Sequence, residues 1–288
     1  MSSLPLSIST RQGLRILLNG FSQIFLQAHP GCGLLVVLAI AVGAPQLLAG
    51  ALLGGFSSTL TAQRRGFTSA DIELGLYGYN GILLGMLISL QFTWSLLLPL
   101  LIIAIAGLSS LLLEPWMRRM RQQQWLPAFT LPFVTLSWLV LWLAPALQLQ
   151  LQQPVPSQLL PLDWLASVLA MARGVGQVIF LDHPIAGACI LVGLLLADRR
   201  AACWALVGSA GGLALALNQG LGQQSALIGL YGYNAALAAI AINQVNHQVW
   251  LPALGIVLAL ALQPGFSALG LPALTMPFIL TCWLVSAS

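Results

Sequence analysis

The pentapeptide Leu76-Tyr77-Gly78-Tyr79-Asn80 returns unchanged as Leu230-Tyr231-Gly232-Tyr233-Asn234. Repeats of this kind set an architecture before local propensity is consulted. Working outward, the upstream run Gly20-Phe21-Ser22-Gln23-Ile24-Phe25-Leu26 followed by His29-Pro30 aligns with Gly174-Val175-Gly176-Gln177-Val178-Ile179-Phe180 followed by His183-Pro184. The displacement is the one that relates the two pentapeptides. Downstream, Leu126-Pro127-Ala128-Phe129-Thr130-Leu131-Pro132-Phe133 matches Leu271-Pro272-Ala273-Leu274-Thr275-Met276-Pro277-Phe278. A single duplication accounts for all three pairs and divides the chain into residues 1–150 and 151–288.

The solvent of both halves follows from composition. Of the 288 residues, 59% are hydrophobic and 6% are charged, with a mean hydropathy of +0.93. A soluble domain carries about 25% charged residues, so this chain cannot cover itself in water. A spanning helix takes about 20 apolar residues, and apolar runs broken by Gly, Pro and short polar stretches leave room for roughly ten crossings. No cleavable signal is expected, because the polar stretch Met1 to Gln12 is not followed by an apolar core with a small-residue cleavage site. Cys32, Cys189, Cys203 and Cys282 lack metal spacing and lie in apolar segments, where small buried thiols are expected.

The net charge of +4 comes from ten arginines; the chain has no lysine. They cluster at segment ends, as Arg11 and Arg15, Arg64 and Arg65, Arg118, Arg119 and Arg121, and Arg199 and Arg200. Such clusters mark cytoplasmic loops, not a nucleic-acid surface. Placing them all inside gives each half five crossings and makes the second half inverted relative to the first, with both termini cytoplasmic. Uncharged breaks at 43–45, 218–224 and 263–270 then fall outside, and Arg173 alone is misplaced. Residues 13–44 are too long for one crossing and too short for two, so a re-entrant half-helix is expected near the His-Pro break of each half. The expected fold is therefore an all-α polytopic membrane protein of two inverted repeats, each of five helices and a half-helix, with a central pore at the repeat interface.

Several residues could carry chemistry in such a pore. A helix ending at mid-membrane leaves carbonyls without partners, and Pro132 and Pro277 are expected to release the carbonyls of Ala128 and Ala273. With the Thr130 and Thr275 hydroxyls these form a column of acceptors. Gln23 and Gln177 add amides at matching depths, and Asn80 and Asn234 can pin the backbone around Gly78 and Gly232. This lining suits a small neutral solute that donates hydrogen bonds. It suits a cation less, since Asp182 is the one clear anionic group placed deep in the second half.

The repeated LYGYN, the glutamine opening each Gln-to-Pro stretch and the twin LPAxTxPF together resemble the urea transporter (urea channel) family, in bacterial members. The resemblance runs from about residue 13 to 283. It implies passive passage of urea and possible small analogues across the bacterial cytoplasmic membrane, no cofactor or metal, and a homotrimer with one pore per protomer. It also implies a slot with Thr130 and Thr275 at its centre, Gln23 and Gln177 at its ends, and Leu26, Phe180, Leu83 and Leu237 as walls. The chain departs from the family where His29 and His183 stand in place of Asn, and where the wall that is Phe180 in the second half is Leu26 in the first, unless Phe25 substitutes.

Plainer roles stand beside these. Tyr77, Gly78, Tyr231 and Gly232 also suit helix packing, Asn80 and Asn234 structural hydrogen bonds, and His29 and His183 helix caps. His247 would be solvated in a polar break. Asp182, His29 and His183 admit a second reading, a proton-coupled carrier for ammonium or another small amide or amine. An enzyme is disfavoured, because carboxylate pairs, metal-spaced clusters and cofactor motifs are missing from the sequence.

Overall fold

The computed structural model describes residues 9–123, 126–153, 160–246 and 248–287; His247 lies outside them. The first half contains helices α1 (Thr10–Gln23), α2 (Pro30–Gly43), α3 (Leu48–Arg64), α4 (Ser69–Glu73), α5 (Gly78–Gln91), α6 (Leu97–Gln123) and α7 (Leu131–Leu143). The second repeats them in order as α8 (Trp164–Gly176), α9 (Pro184–Ala197), α10 (Arg199–Asn218), α11 (Gln223–Leu227), α12 (Tyr233–Val245), α13 (Trp250–Ala268) and α14 (Met276–Ala287). The duplication seen in the letters is thus a duplication of elements.

It extends to backbone conformation. Leu26 and Phe180 both take a left-handed φ, 61° and 62°, and Phe129 and Leu274 do so at 44° and 45°. A non-glycine residue held there costs about 1–3 kcal/mol, so four such positions in two matched pairs mark places where the fold dictates the chain direction. The first pair turns the chain sharply between α1 and α2 and between α8 and α9. The segments Trp164–Ile179 and Pro184–Ala197 are bent by 78° across that break. His29 and His183 stand at the N-caps of α2 and α9, with Pro30 and Pro184 in the first turn, where a missing N–H is harmless.

Most of the helices are shorter than a full crossing demands. Among the described residues two, Leu97–Gln123 and Arg199–Asn218, are long and apolar enough to span a membrane singly, or three if the bent pair forms one span. The rest, such as the 14-residue α1, α2 and α5, reach about 21 Å each at 1.5 Å per residue. Capping loops and left-handed turns take up the remaining chain. The expected break over 263–270 is partly overturned: α13 continues through Pro264 to Ala268, as α6 continues through Pro115. Proline removes one helix hydrogen bond, and a packed membrane helix tolerates that loss.

Small residues let the helices touch backbone to backbone. A Cβ placed on Gly54 would fall on the carbonyl of Gly81, and one on Gly85 would fall on the carbonyl of Gly50, so α3 and α5 meet in opposite directions. In the second half Gly208 and Gly212 of α10 press against Ala236 and Gly232 in the same manner. Gly33 meets the Leu18 carbonyl, and Gly187 meets that of Ala172.

The halves join through equivalent parts. Gly43 at the end of α2 abuts Ala186 and His183 at the start of α9, while Gly193 near the end of α9 abuts Cys32 and Leu35 at the start of α2. The two equivalent helices therefore run antiparallel where they touch. The indole of Trp138 donates to the Pro272 carbonyl and that of Trp283 to the Pro127 carbonyl, both at 2.9 Å. Reciprocal contacts of this kind are what a twofold relation produces. One apolar core spans both halves, and large apolar side chains cover the outside, with Trp142 at 74% and Leu96 at 95% exposure. Of the four cysteines, Cys32 and Cys282 are buried, Cys189 is half-buried, and Cys203 is exposed, against the expectation of buried thiols.

Gly54→Leu is expected to lower the melting temperature of the detergent-solubilised protein by several degrees, overpacking costing about 1–3 kcal/mol. An unchanged melt would refute the close approach of α3 and α5.

Candidate functional site

The two halves present their polar groups to each other where α7 and α14 begin. Each of these helices starts directly after a threonine that follows a left-handed residue, and each has proline in its first turn. The Thr130 and Thr275 hydroxyl oxygens lie 2.7 Å apart, bonded to each other across the half-to-half junction. Both side chains are buried. The expected release of carbonyls by proline does not occur. The Ala128 and Ala273 carbonyls accept from the N–H groups of Leu131 and Met276, each at 3.0 Å. Pro132 and Pro277 sit in the first turn, where the helix has no hydrogen bond for them to break.

The pentapeptide holds the threonines in place. The Tyr79 hydroxyl donates to the Phe129 carbonyl at 2.6 Å, and the Asn80 Oδ1 accepts from the Phe133 N–H at 3.1 Å. In the second half the Tyr233 hydroxyl and Asn234 Nδ2 donate to the Leu274 carbonyl at 2.8 and 3.0 Å, and Asn234 Oδ1 accepts from the Phe278 N–H at 3.3 Å. Each Tyr-Asn pair thus pins both sides of a threonine. The asparagines steady this distant loop and not the glycines beside them. Gly232 packs on Ser209 of α10, and Gly78 on Gly20 of α1, so both glycines serve helix contact.

The glutamines form a second matched pair. Gln23 Nε2 donates to the Leu74 carbonyl at 3.0 Å, and Gln177 Nε2 to that of Ile228 at 2.9 Å. One turn earlier on the same helices, Asn19 Nδ2 donates to the Glu73 carbonyl at 2.8 Å and Arg173 Nη1 to the Leu227 carbonyl at 3.3 Å. The apparent misfit Arg173 is thus the counterpart of Asn19. Its Nε also donates to the Asp182 carbonyl at 3.1 Å, and its side chain is buried.

A cavity of about 70 Å³ opens beside the threonine pair in the second half. Gln177, Tyr233 and Thr275 supply its polar groups, and Phe133, Phe180, Val178, Leu230 and Leu274 its apolar walls. Phe133 and Phe180 face each other tilted, with ring centroids 6.3 Å apart. That volume is far below the roughly 300 Å³ of the smallest drug-sized pockets, and it fits a solute of a few heavy atoms. On the first-half side a wider cavity of about 570 Å³ is lined by Arg11, Arg15, Asn19, Glu73 and Leu74, among others. Arg121 Nη2 reaches Asp71 of α4 at 2.8 Å, so arginines from two distant segments gather around α4.

Of the residues singled out in the sequence, Gln177, Phe180 and Thr275 line the small cavity. Gln23, Leu26 and Thr130 hold the matching places in the first half, where the Leu26 carbonyl accepts from Gln244 Nε2 at 2.6 Å. Leu83 and Leu237 are buried in α5 and α12 and do not line it. Asp182, expected deep in the second half, is exposed. Tyr77 donates its hydroxyl to the buried Glu114, which also accepts from Arg118 Nε at 2.7 Å; Tyr231 is half-buried. His29 Nδ1 caps α2 by accepting from the Cys32 N–H at 3.1 Å. His183 makes no such bond, and its Nδ1 is buried without a partner. The sequence reading missed Tyr79, Tyr233 and Phe133 as site residues, although all three lie inside the repeated motifs that could have flagged them.

An all-helical chain, apolar outside and duplicated, whose matched polar groups meet beside a small cavity, is an integral membrane protein of the transporter class. More particularly, it belongs to the urea transporter family, whose description its residues 14–288 match. It is similar to Urea transporter 1 of Ovis aries, with 29% identity over 288 residues that cover 91% of this chain and 73% of that protein. Urea transporter 1 of Rattus norvegicus is 30% identical over 253 residues, covering 79% of this chain and 62% of that protein. Such proteins are transporters and not enzymes.

Asn80→Ala removes the acceptor of the Phe133 N–H in a dry site, and a loss of about 1–3 kcal/mol is expected. Thermal unfolding in detergent measures it, and a melt equal to wild type would show that the amide finds another partner.

Proposed function

We propose that this protein conducts urea passively, down its gradient, through a narrow path between two inverted halves, residues 1–150 and 151–288. The observation that carries the reading is the Thr130–Thr275 contact, set beside a cavity with apolar aromatic walls and amide and hydroxyl groups on its edge. Urea is planar, with two NH₂ groups and one carbonyl. Stripping its water costs several kcal/mol for each hydrogen bond left unmade. The threonine hydroxyls, the free Gln23 and Gln177 amide oxygens and the carbonyls of the broken-helix loops form the oxygen ladder that replaces that water. Phe180, Phe133 and Leu26 press the flat faces, while Leu83 and Leu237 back the walls from α5 and α12. Spaced weak sites permit both entry and exit.

Inversion is supported by the antiparallel contact of α2 with α9 and by the reciprocal tryptophan bonds. If α2 spans the membrane, an axis that makes α2 and α9 antiparallel lies in the membrane plane. On this reading α1 and α8 are the half-helices, and α2, α3, α5, α6 and α7 cross in the first half as α9, α10, α12, α13 and α14 do in the second. The arginines around α4 support a reading in which that side, with both termini, faces the cytoplasm of a bacterial inner membrane. Assembly as a homotrimer with one path per protomer completes the proposal. A proton-coupled carrier is not favoured, since Asp182 is exposed and His29 is engaged as a cap.

Stopped-flow light scattering on proteoliposomes tests the function: urea permeability is expected well above that of empty liposomes and indifferent to an imposed pH gradient. No gain over empty liposomes would end the proposal. Thr130→Val and Thr275→Val are each expected to lower urea flux about tenfold, one lost hydrogen bond to the solute being worth about 0.5–1.5 kcal/mol and the unmade bond more, with assembly intact by size-exclusion chromatography. Undiminished flux in both would remove the threonines from the path.

A further inference from the structure

Positions 19 and 173 are equivalent in the duplication, yet one is asparagine and the other arginine. Both lie one helical turn before a glutamine of the matched pair, and both donate to the carbonyl adjacent to the one that glutamine uses: Glu73 beside Leu74, and Leu227 beside Ile228. In the first half this position opens onto the cavity of about 570 Å³, which Asn19 lines. By internal symmetry, the Arg173 guanidinium holds in the second half the place that the Asn19 amide holds in the first. It is held by two backbone carbonyls, those of Asp182 and Leu227.

We propose that Arg173 is a specificity-determining residue, a fixed positive charge that bars cations from the second-half mouth of the path. The proposal rests on the reading that solute passes between the halves beside Gln177. Carbonyl oxygens offer the same partial negative charge to urea and to a small cation such as an alkylammonium, so an acceptor ladder alone does not separate the two. A guanidinium one turn from Gln177 does, because it repels the cation and leaves the neutral solute untouched. The geometry keeps that charge effective. Among the described residues, ion pairs within 4.0 Å join Arg118 to Glu114 and Arg121 to Asp71, and none joins Arg173 to a carboxylate. The Asp182 side chain is the nearby opposing group. It is exposed to solvent and meets Arg173 through its backbone carbonyl. The burial of Arg173 removes much of the screening that would weaken its field.

The first half supplies the test, since Arg173→Asn restores the residue that the same scaffold already carries at position 19. Wild type, R173N and R173K are reconstituted as full chains in proteoliposomes, and urea flux is followed by light scattering beside radiolabelled methylammonium uptake. R173N is expected to pass methylammonium at least about tenfold faster than wild type, the lower end of what a charged cleft does to local ion concentration, with urea flux retained. R173K keeps the charge and is expected to stay tight. A tight R173N with normal urea flux would overturn the barrier alone, as would an R173K that leaks as freely as R173N. Should R173N fail to assemble, R173Q replaces it under the same criteria. A wild type without urea flux, with methylammonium leaking only through R173N, would overturn the urea reading and leave the barrier.

Discussion

The hydrogen bond between Thr130 and Thr275 depends on everything around it. Two side-chain oxygens from opposite halves reach 2.7 Å only if both loops that carry them approach the same point from opposite directions. Each loop contains a left-handed non-glycine residue, Phe129 or Leu274, and such a conformation persists only where the surroundings over-determine it. Here the Tyr79 and Tyr233 hydroxyls grip the carbonyls of those residues, and the Asn80 and Asn234 amide oxygens accept from the Phe133 and Phe278 N–H groups in the first turns of the helices beyond. In an apolar medium an unmet carbonyl or N–H costs several kcal/mol. The repeated pentapeptide is therefore a clamp that meets those groups while aiming a threonine inward.

A second layer of the same logic operates where α1 and α8 stop. Asn19 and Gln23 on α1, and Arg173 and Gln177 at the end of α8, meet the carbonyls left open at the ends of the short helices α4 and α11, while Gln244 meets the Leu26 carbonyl at the break after α1. The glutamines Gln23 and Gln177 keep an amide oxygen beside each such bond, so the structural bond and the polar lining are made by the same side chains, whereas Arg173 only donates. Glycine and alanine at the contacts of α3 with α5 and α10 with α12 bring backbones close enough to hold this arrangement without long side chains between them. The halves are not identical in their bracing. Tyr77, Glu114 and Arg118 form a charged network beside the first pentapeptide. In the second half Gln263 donates instead to the Leu230 carbonyl at 2.8 Å.

From its letters alone the chain determined its medium and its duplication, and with the duplication the pairing of Thr130 with Thr275, because composition, repeat spacing and motif order are properties of sequence. The break before each His-Pro was legible for the same reason: a stretch of that length cannot be one crossing or two. Tertiary structure decided what those motifs touch. Asn80 was read as a partner of the nearby glycine backbone, but it reaches Phe133, 53 positions away in sequence, and no local pattern encodes that pairing. Asp182 and Arg173 exchanged importance: the carboxylate is exposed, while the arginine that violated the charge rule is buried against carbonyls. Pro132 and Pro277 look like helix breakers by type and are helix starters by position. Sequence specifies which groups are polar in an apolar chain, whereas only the packed fold decides which partner each polar group finds, since that choice is made by residues brought together from both halves.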